Sequence, residues 1–202
     1  MLRILRSALL AACAIVVLGG MSGCANSRDA RFYVLTPLPA TDGPKTPPGR
    51  PLPAVGLRPV ELPAELDRPQ IVTRSGRNEL SLAEFDRWAA PLGDQFTRVL
   101  AEDLAILIPT DRVEVFPWAK DTPIDCEVVV EVLRSEGTLG GSYWLTATWT
   151  VFKRNERGTA IRSKTSYSEP AGASYADMVA VQSRLVAALG RDIAKAVQEL
   201  AW

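Results

Sequence analysis

Between residues 143 and 152 the side chains alternate clearly, without a break from Leu145 to Val151. Tyr143, Leu145, Ala147, Trp149 and Val151 fall on one side of an extended chain. Trp144, Thr146, Thr148 and Thr150 fall on the other, because successive strand side chains point to opposite faces. A strand patterned this way has one buried face and one wet face, as antiparallel sheets allow. This feature constrains the fold most, because the rest of the chain must supply a layer that covers the apolar face. Two helical stripes can do so. Over residues 91–108, Leu92, Phe96, Val99, Leu100, Leu104 and Leu107 recur at helical spacing, with Asp94 and Arg98 as an exposed i,i+4 pair. Pro91 suits the first turn of this helix and Pro109 stops it. Over residues 175–200 the stripe is Met178, Val181, Leu185, Val186, Leu189, Ile193, Ala196 and Leu200. Ser174 can cap that helix, with Asp177 in the capping-box position. The expected fold class is therefore α+β: a two-layer sandwich of an antiparallel or mixed sheet packed against two amphipathic helices. Its core should contain Leu57, Phe96, Leu100, Leu104, Val128, Val130, Leu145, Trp149, Leu185, Leu189 and Ile193.

The remaining strands are shorter or less regular. Residues 32–35 are extended and apolar, and residues 37–53 form a proline-rich loop that can donate few backbone hydrogen bonds. Residues 54–62 alternate loosely and read as a second strand edged by Pro59. Residues 71–74 and 79–82 flank Ser75-Gly76-Arg77-Asn78, a hairpin signal. Residues 113–116, 126–133 and 161–167 complete the set, the last entered through the turn at residues 155–158. Residues 137–141 lack the lysine and following helix of a phosphate loop and read as a flexible connection.

The amino terminus carries an address. Arg3 and Arg6 form a positive region, Ala8 through Leu18 an apolar run, and small residues lead on from it, which is the pattern of a secretion signal. The alternative is a membrane-spanning helix, but that needs about 20 apolar residues, and Gly19 and Gly20 break this run. Met21-Ser22-Gly23-Cys24 resembles the lipobox of bacterial lipoproteins, with Met21 where leucine is more usual. The resemblance implies cleavage after Gly23, diacylglycerol on Cys24 and acylation of the new amino terminus. Ala25 stands where aspartate commonly retains lipoproteins at the inner membrane, which implies the outer membrane, periplasmic face. The expected organisation is a signal peptide over 1–23, a lipidated tether over 24–31 and one domain over 32–202. Seven tether residues reach only about 25 Å, so the domain sits close to its membrane.

Several chemistries are disfavoured. The chain has no histidine, which removes His-based acid–base catalysis, Ser–His and Cys–His pairs and most zinc sites. Cys13 lies in the signal and Cys24 is claimed by lipid, leaving Cys126 as a single mature thiol that cannot form an internal disulfide. It opens a valine-rich strand with no basic neighbour, so a buried structural thiol is favoured over a nucleophile. Glu127 and Glu131 share one strand face, where a solvated surface competes with a paired-carboxylate reading. The precursor carries 23 basic and 23 acidic side chains. Losing Arg3 and Arg6 leaves a mature balance of −2, which offers no long-range attraction for nucleic acid. No catalytic residue, metal or cofactor is expected beyond the lipid on Cys24. Candidate partner contacts are Arg74, Arg77 and Asn78 at the hairpin tip, together with Trp144.

An ordered string of motifs runs through residues 66–104: Asp67-Arg68-Pro69-Gln70-Ile71-Val72, Asn78-Glu79-Leu80, Arg87-Trp88-Ala89-Ala90-Pro91-Leu92 and Arg98-Val99-Leu100-Ala101-Glu102-Asp103-Leu104. With Phe32-Tyr33-Val34-Leu35 shortly after a lipobox, it resembles the PqiC-type family of transport-auxiliary lipoproteins over nearly the whole mature chain. Ala90 is a minor departure from the family's usual stretch. The resemblance implies a non-enzymatic outer-membrane subunit of an intermembrane lipid transport system. Such systems pair an inner-membrane ABC transporter with a hollow MCE-domain assembly crossing the periplasm, whose far end this subunit would dock, and a homo-oligomeric ring around that tip fits the same geometry. The alternative, from another class, is an activator or assembly factor for a peptidoglycan enzyme.

Overall fold

The alternating segment lies in the middle of a meander. A computed structural model describes residues 28–43, 52–108, 110–154, 156 and 158–200. Strands β6 (Cys126–Gly137), β7 (Ser142–Lys153) and β8 (Ala160–Pro170) pair antiparallel in sequence order. Tyr143, Leu145, Ala147, Trp149 and Val151 are all buried, as the period of two requires. Two three-residue strands extend this sheet on the other side of β6. Strand β2 (Val55–Leu57) pairs parallel with β6, and β5 (Val113–Val115) pairs parallel with β2, giving the mixed order β5-β2-β6-β7-β8. The ladder of β2 stops before Pro59 and resumes only as a bridge between Glu61 and Glu131. Gly56 permits a close approach: a Cβ there would lie 2.9 Å from the Trp118 ring and from Ile124.

A second sheet was not separable in the sequence. Strands β3 (Gln70–Gly76) and β4 (Glu79–Trp88) form the expected hairpin, and β1 (Arg31–Tyr33) pairs parallel with β4, giving the order β1-β4-β3. Strand β4 runs six residues past the expected 82 because register shifts interrupt the ladder, and an extra residue on one strand breaks the period of two. The same cause hides the end of β6, where a shift between Val132 and Arg134 changes the phase and makes Ser135 the next buried residue after Val132.

The helices are α1 (Leu92–Leu107) and α2 (Tyr175–Glu199). Every residue expected in the core is buried, from Leu57 to Ile193, so the α+β arrangement with helices packed on sheet is as expected. The capping box of α2 is present, with Asp177 N–H donating to Ser174 Oγ at 3.1 Å and Ser174 N–H donating back to Asp177 Oδ2 at 3.3 Å. One ion pair differs from expectation: Arg98 joins Glu102 at 2.8 Å, not Asp94. Of the proline-rich loop, residues 44–51 lie outside the described residues, and Ala40–Asp42 form one 3-10 turn. Cys24 and the signal segment also lie outside them.

After β1 the chain crosses the helical layer as a strap held by polar side chains. Leu35 N–H donates to Gln95 Oε1 at 2.8 Å, Thr36 N–H to Ser183 Oγ at 3.2 Å and Leu38 N–H to Asp103 Oδ1 at 2.7 Å. Asp103 is fully buried and its Oδ2 has no partner among the described residues. Burial pushes its carboxyl up to about 6, against the opposing pull of the Leu38 amide and the Arg191 charge. A free aspartate titrates near 3.9. The folded state therefore holds this proton longer than the unfolded chain, and the group's contribution to stability is present below about pH 4 and lost as pH rises through 6. Asp103→Asn keeps the acceptor for Leu38 and removes the charge. The variant's stability relative to wild type should grow between pH 4 and 7 in urea titrations. A difference that does not change with pH would overturn this assignment.

Candidate partner interface

The hairpin is pinned to the larger sheet by one carboxylate. Glu136, near the end of β6, faces Trp144 of β7 in register. Arg74 of β3 reaches it with both arms of its guanidinium, Nε to Oε1 at 2.8 Å and Nη2 to Oε2 at 2.6 Å. Such two-point pairing fixes orientation as well as charge. Arg134 Nε donates to the same Oε1 at 2.8 Å, and its guanidinium lies 4.5 Å over the Trp144 ring. Burial by itself raises the Glu136 carboxyl, but the bonds from Arg74 and then Arg134 together outweigh it and hold it below the ordinary value. Arg74 also donates to the carbonyls of Gly76 and Arg77 at 3.3 and 3.0 Å. The candidate contacts Arg74 and Trp144, 70 positions apart, thus belong to one network, in which Arg74 is engaged internally. Arg77 and Asn78 form the exposed turn at the end of the same hairpin.

A second place is built by the motif string. The Trp88 amide donates to the Pro69 carbonyl at 2.7 Å and the Ala89 amide to the Tyr33 carbonyl at 2.9 Å. Gln95, from the first turns of α1, holds the Leu35 amide with its oxygen and the Ala90 carbonyl with its nitrogen at 2.9 Å. These bonds leave a groove of about 350 Å³ between Asp67, Arg68 and Pro69 on one wall and Trp88, Ala89 and Pro91 on the other. The Arg68 Nε is buried there without a partner among the described residues. An apolar groove with one unengaged guanidinium suits a protein segment or another ligand that brings a hydrogen-bond acceptor. Arg68 and Trp88 were not among the contact residues expected from sequence. The signal that could have found them was the string itself, since its pieces converge on this groove.

The groups considered for catalysis are otherwise occupied. Cys126 is fully buried, and burial, then the neighbouring Asp125 charge, pushes its thiol up to about 12. Glu127 pairs with Arg58 at 2.5 Å, and Glu131 accepts from Thr148 Oγ1 at 3.2 Å. Among the described residues no group of three or more His, Cys, Asp or Glu could hold a metal ion, and no helix is long and apolar enough to cross a membrane.

Comparison with known proteins adds a family. A family model described as the ABC-type transport auxiliary lipoprotein component matches residues 33–194. The fold is similar to the crystal structure of an uncharacterized protein (TM-score 0.68, 19% identity, covering 83% of this chain and 98% of that one). It is also similar to protein XCC0632 from Xanthomonas campestris (TM-score 0.62, 13% identity, covering 81% and 92%). No curated protein matches the chain.

Proposed function

We propose, from the premise that this chain belongs to the ABC-type transport auxiliary lipoprotein family, that it docks the far end of a periplasm-spanning MCE assembly at the outer membrane. The signal segment is removed, Cys24 carries the lipid, and the domain works by binding without catalysing a reaction. The observation that carries this reading is the convergence of the motif string: residues 67–69 and 88–91 line a groove beside the Arg68 Nε, which has no partner among the described residues. The tether supports it as well. A domain held within about 25 Å of its anchor meets an inner-membrane machine only if that machine reaches outward. A hollow assembly does so, and several copies of this chain arranged as a ring would surround its tip.

The test is site-specific photocrosslinking in intact cells, with the probe at Asp67 on the groove rim or at Arg77 on the hairpin turn. Adducts with an MCE-domain protein are expected. Adducts only with a peptidoglycan synthase would replace this reading by that of an enzyme activator.

A further inference from the structure

The larger sheet ends in a long open edge. Among the described residues β8 has a partner on one side only, and its eleven residues make it much longer than β5 at the opposite edge. Antiparallel pairs alternate between residues that bond across the ladder and residues whose backbone groups point away. Lys153 N–H donates to Thr159 at one end of the β7–β8 ladder, and Ala171 N–H donates to Gly141 at the other. Both ends give the same phase. The backbones of Ile161, Ser163, Thr165, Tyr167 and Glu169 face β7, and those of Ala160, Arg162, Lys164, Ser166 and Ser168 face outward. Pro170 is also on the outward phase, where its lack of an N–H costs no ladder bond.

Beside this edge, between β8 and α2, lies a groove of about 300 Å³ whose lining includes Trp149, Ile161, Ser163, Asp192 and Ala196. Trp149 is only 5% exposed, yet its indole N–H has no acceptor among the described residues. A buried donor without a partner is destabilising. On the opposite face of β8, Arg162 and Lys164 are exposed and have no ion-pair partner among the described residues.

We propose that the outward edge of β8 accepts an extended segment of a partner protein as a sixth strand. Its carboxylate side chains, two residues apart, face Arg162 and Lys164. A hydrogen-bond-accepting side chain on its other face enters the groove toward Trp149. Basic residues on an edge strand also discourage aggregation, but that role leaves the Trp149 N–H unexplained. A second copy of this chain fits poorly. β1 and β5 offer three residues each, β3 is tied to β6 through Arg74 and Glu136, and β8 itself carries no carboxylate on the face of Arg162 and Lys164 to pair with them. The partner is taken to be a component of the transport system, and to that extent the inference rests on the function proposed above.

The test uses the full-length lipoprotein in intact cells with a photocrosslinking residue at Ser166, followed by sequencing of the adduct. The expected adduct is an acid-rich extended segment of another envelope protein. Its yield should fall roughly tenfold in Arg162→Glu/Lys164→Glu, where attraction becomes repulsion. Lys164→Pro, which removes one outward N–H, should lower it as well; the charge-reversed variant changes only exposed side chains and keeps the test valid if the proline variant fails to fold. Unchanged yields in the folded charge-reversed variant, or adducts only with a second copy of this chain, would overturn the proposal. If the captured strand belongs to a protein outside transport, the strand site stands and the transport reading falls. If an MCE-domain protein crosslinks at Asp67 or Arg77 but never at Ser166, the transport reading stands and the strand site falls.

Discussion

Replacing Phe96 with alanine is expected to destabilise the domain by about 3–5 kcal/mol. Phe96 is completely buried on the apolar stripe of α1, in one hydrophobic core with residues of the larger sheet and of α2. Truncation there removes transfer free energy and leaves a cavity that close-packed neighbours refill only in part. A domain of this kind has about 5–15 kcal/mol in total, so the loss takes a large share of the folded state's margin. Urea unfolding should show a lower midpoint with an unchanged slope. A loss below about 1 kcal/mol would mean that Phe96 is not packed in that core. The strap magnifies the consequence. Gln95, Arg98 and Asp103 of the same helix hold residues 35–38, so loosening α1 also loosens the segment that leads back to the tether.

Cys24→Ser is expected to abolish membrane attachment, leaving uncleaved or soluble periplasmic protein. Each buried methylene contributes about 0.8 kcal/mol, and one acyl chain alone holds a protein only marginally, so stable anchoring needs several. Serine offers no thiol for the diacylglycerol that the lipobox resemblance places on Cys24. The readout is fractionation of envelopes with lipid labelling. A serine variant that still travels with the outer membrane and carries lipid would sink the anchor assignment, and with it the argument from tether length. The folded domain should be unaffected, because the buried core of the described residues begins at Leu35.

The elements with strong local patterns were legible in advance. β7, both helices and the α2 capping box follow from period and spacing, because a sheet face or a helix stripe imposes its repeat directly on neighbouring residues. The hairpin turn was legible for the same reason, being set by four consecutive residues. The far ends of β4 and β6 were not, since each lies beyond a register shift that breaks the repeat.

The candidate site divides along the same line. The sequence by itself determined which residues would be apolar and inward, that no histidine chemistry is available, and that residues 67–72 and 87–92 belong to one ordered string. Only the tertiary structure decided what those residues do. Arg74 and Glu136 stand 62 positions apart, and nothing local distinguishes that arginine from the exposed Arg77 three residues later. Apolar burial is a property of each residue's own pattern, whereas an ion pair, a groove wall or an open strand edge is a property of what the folded chain brings beside it.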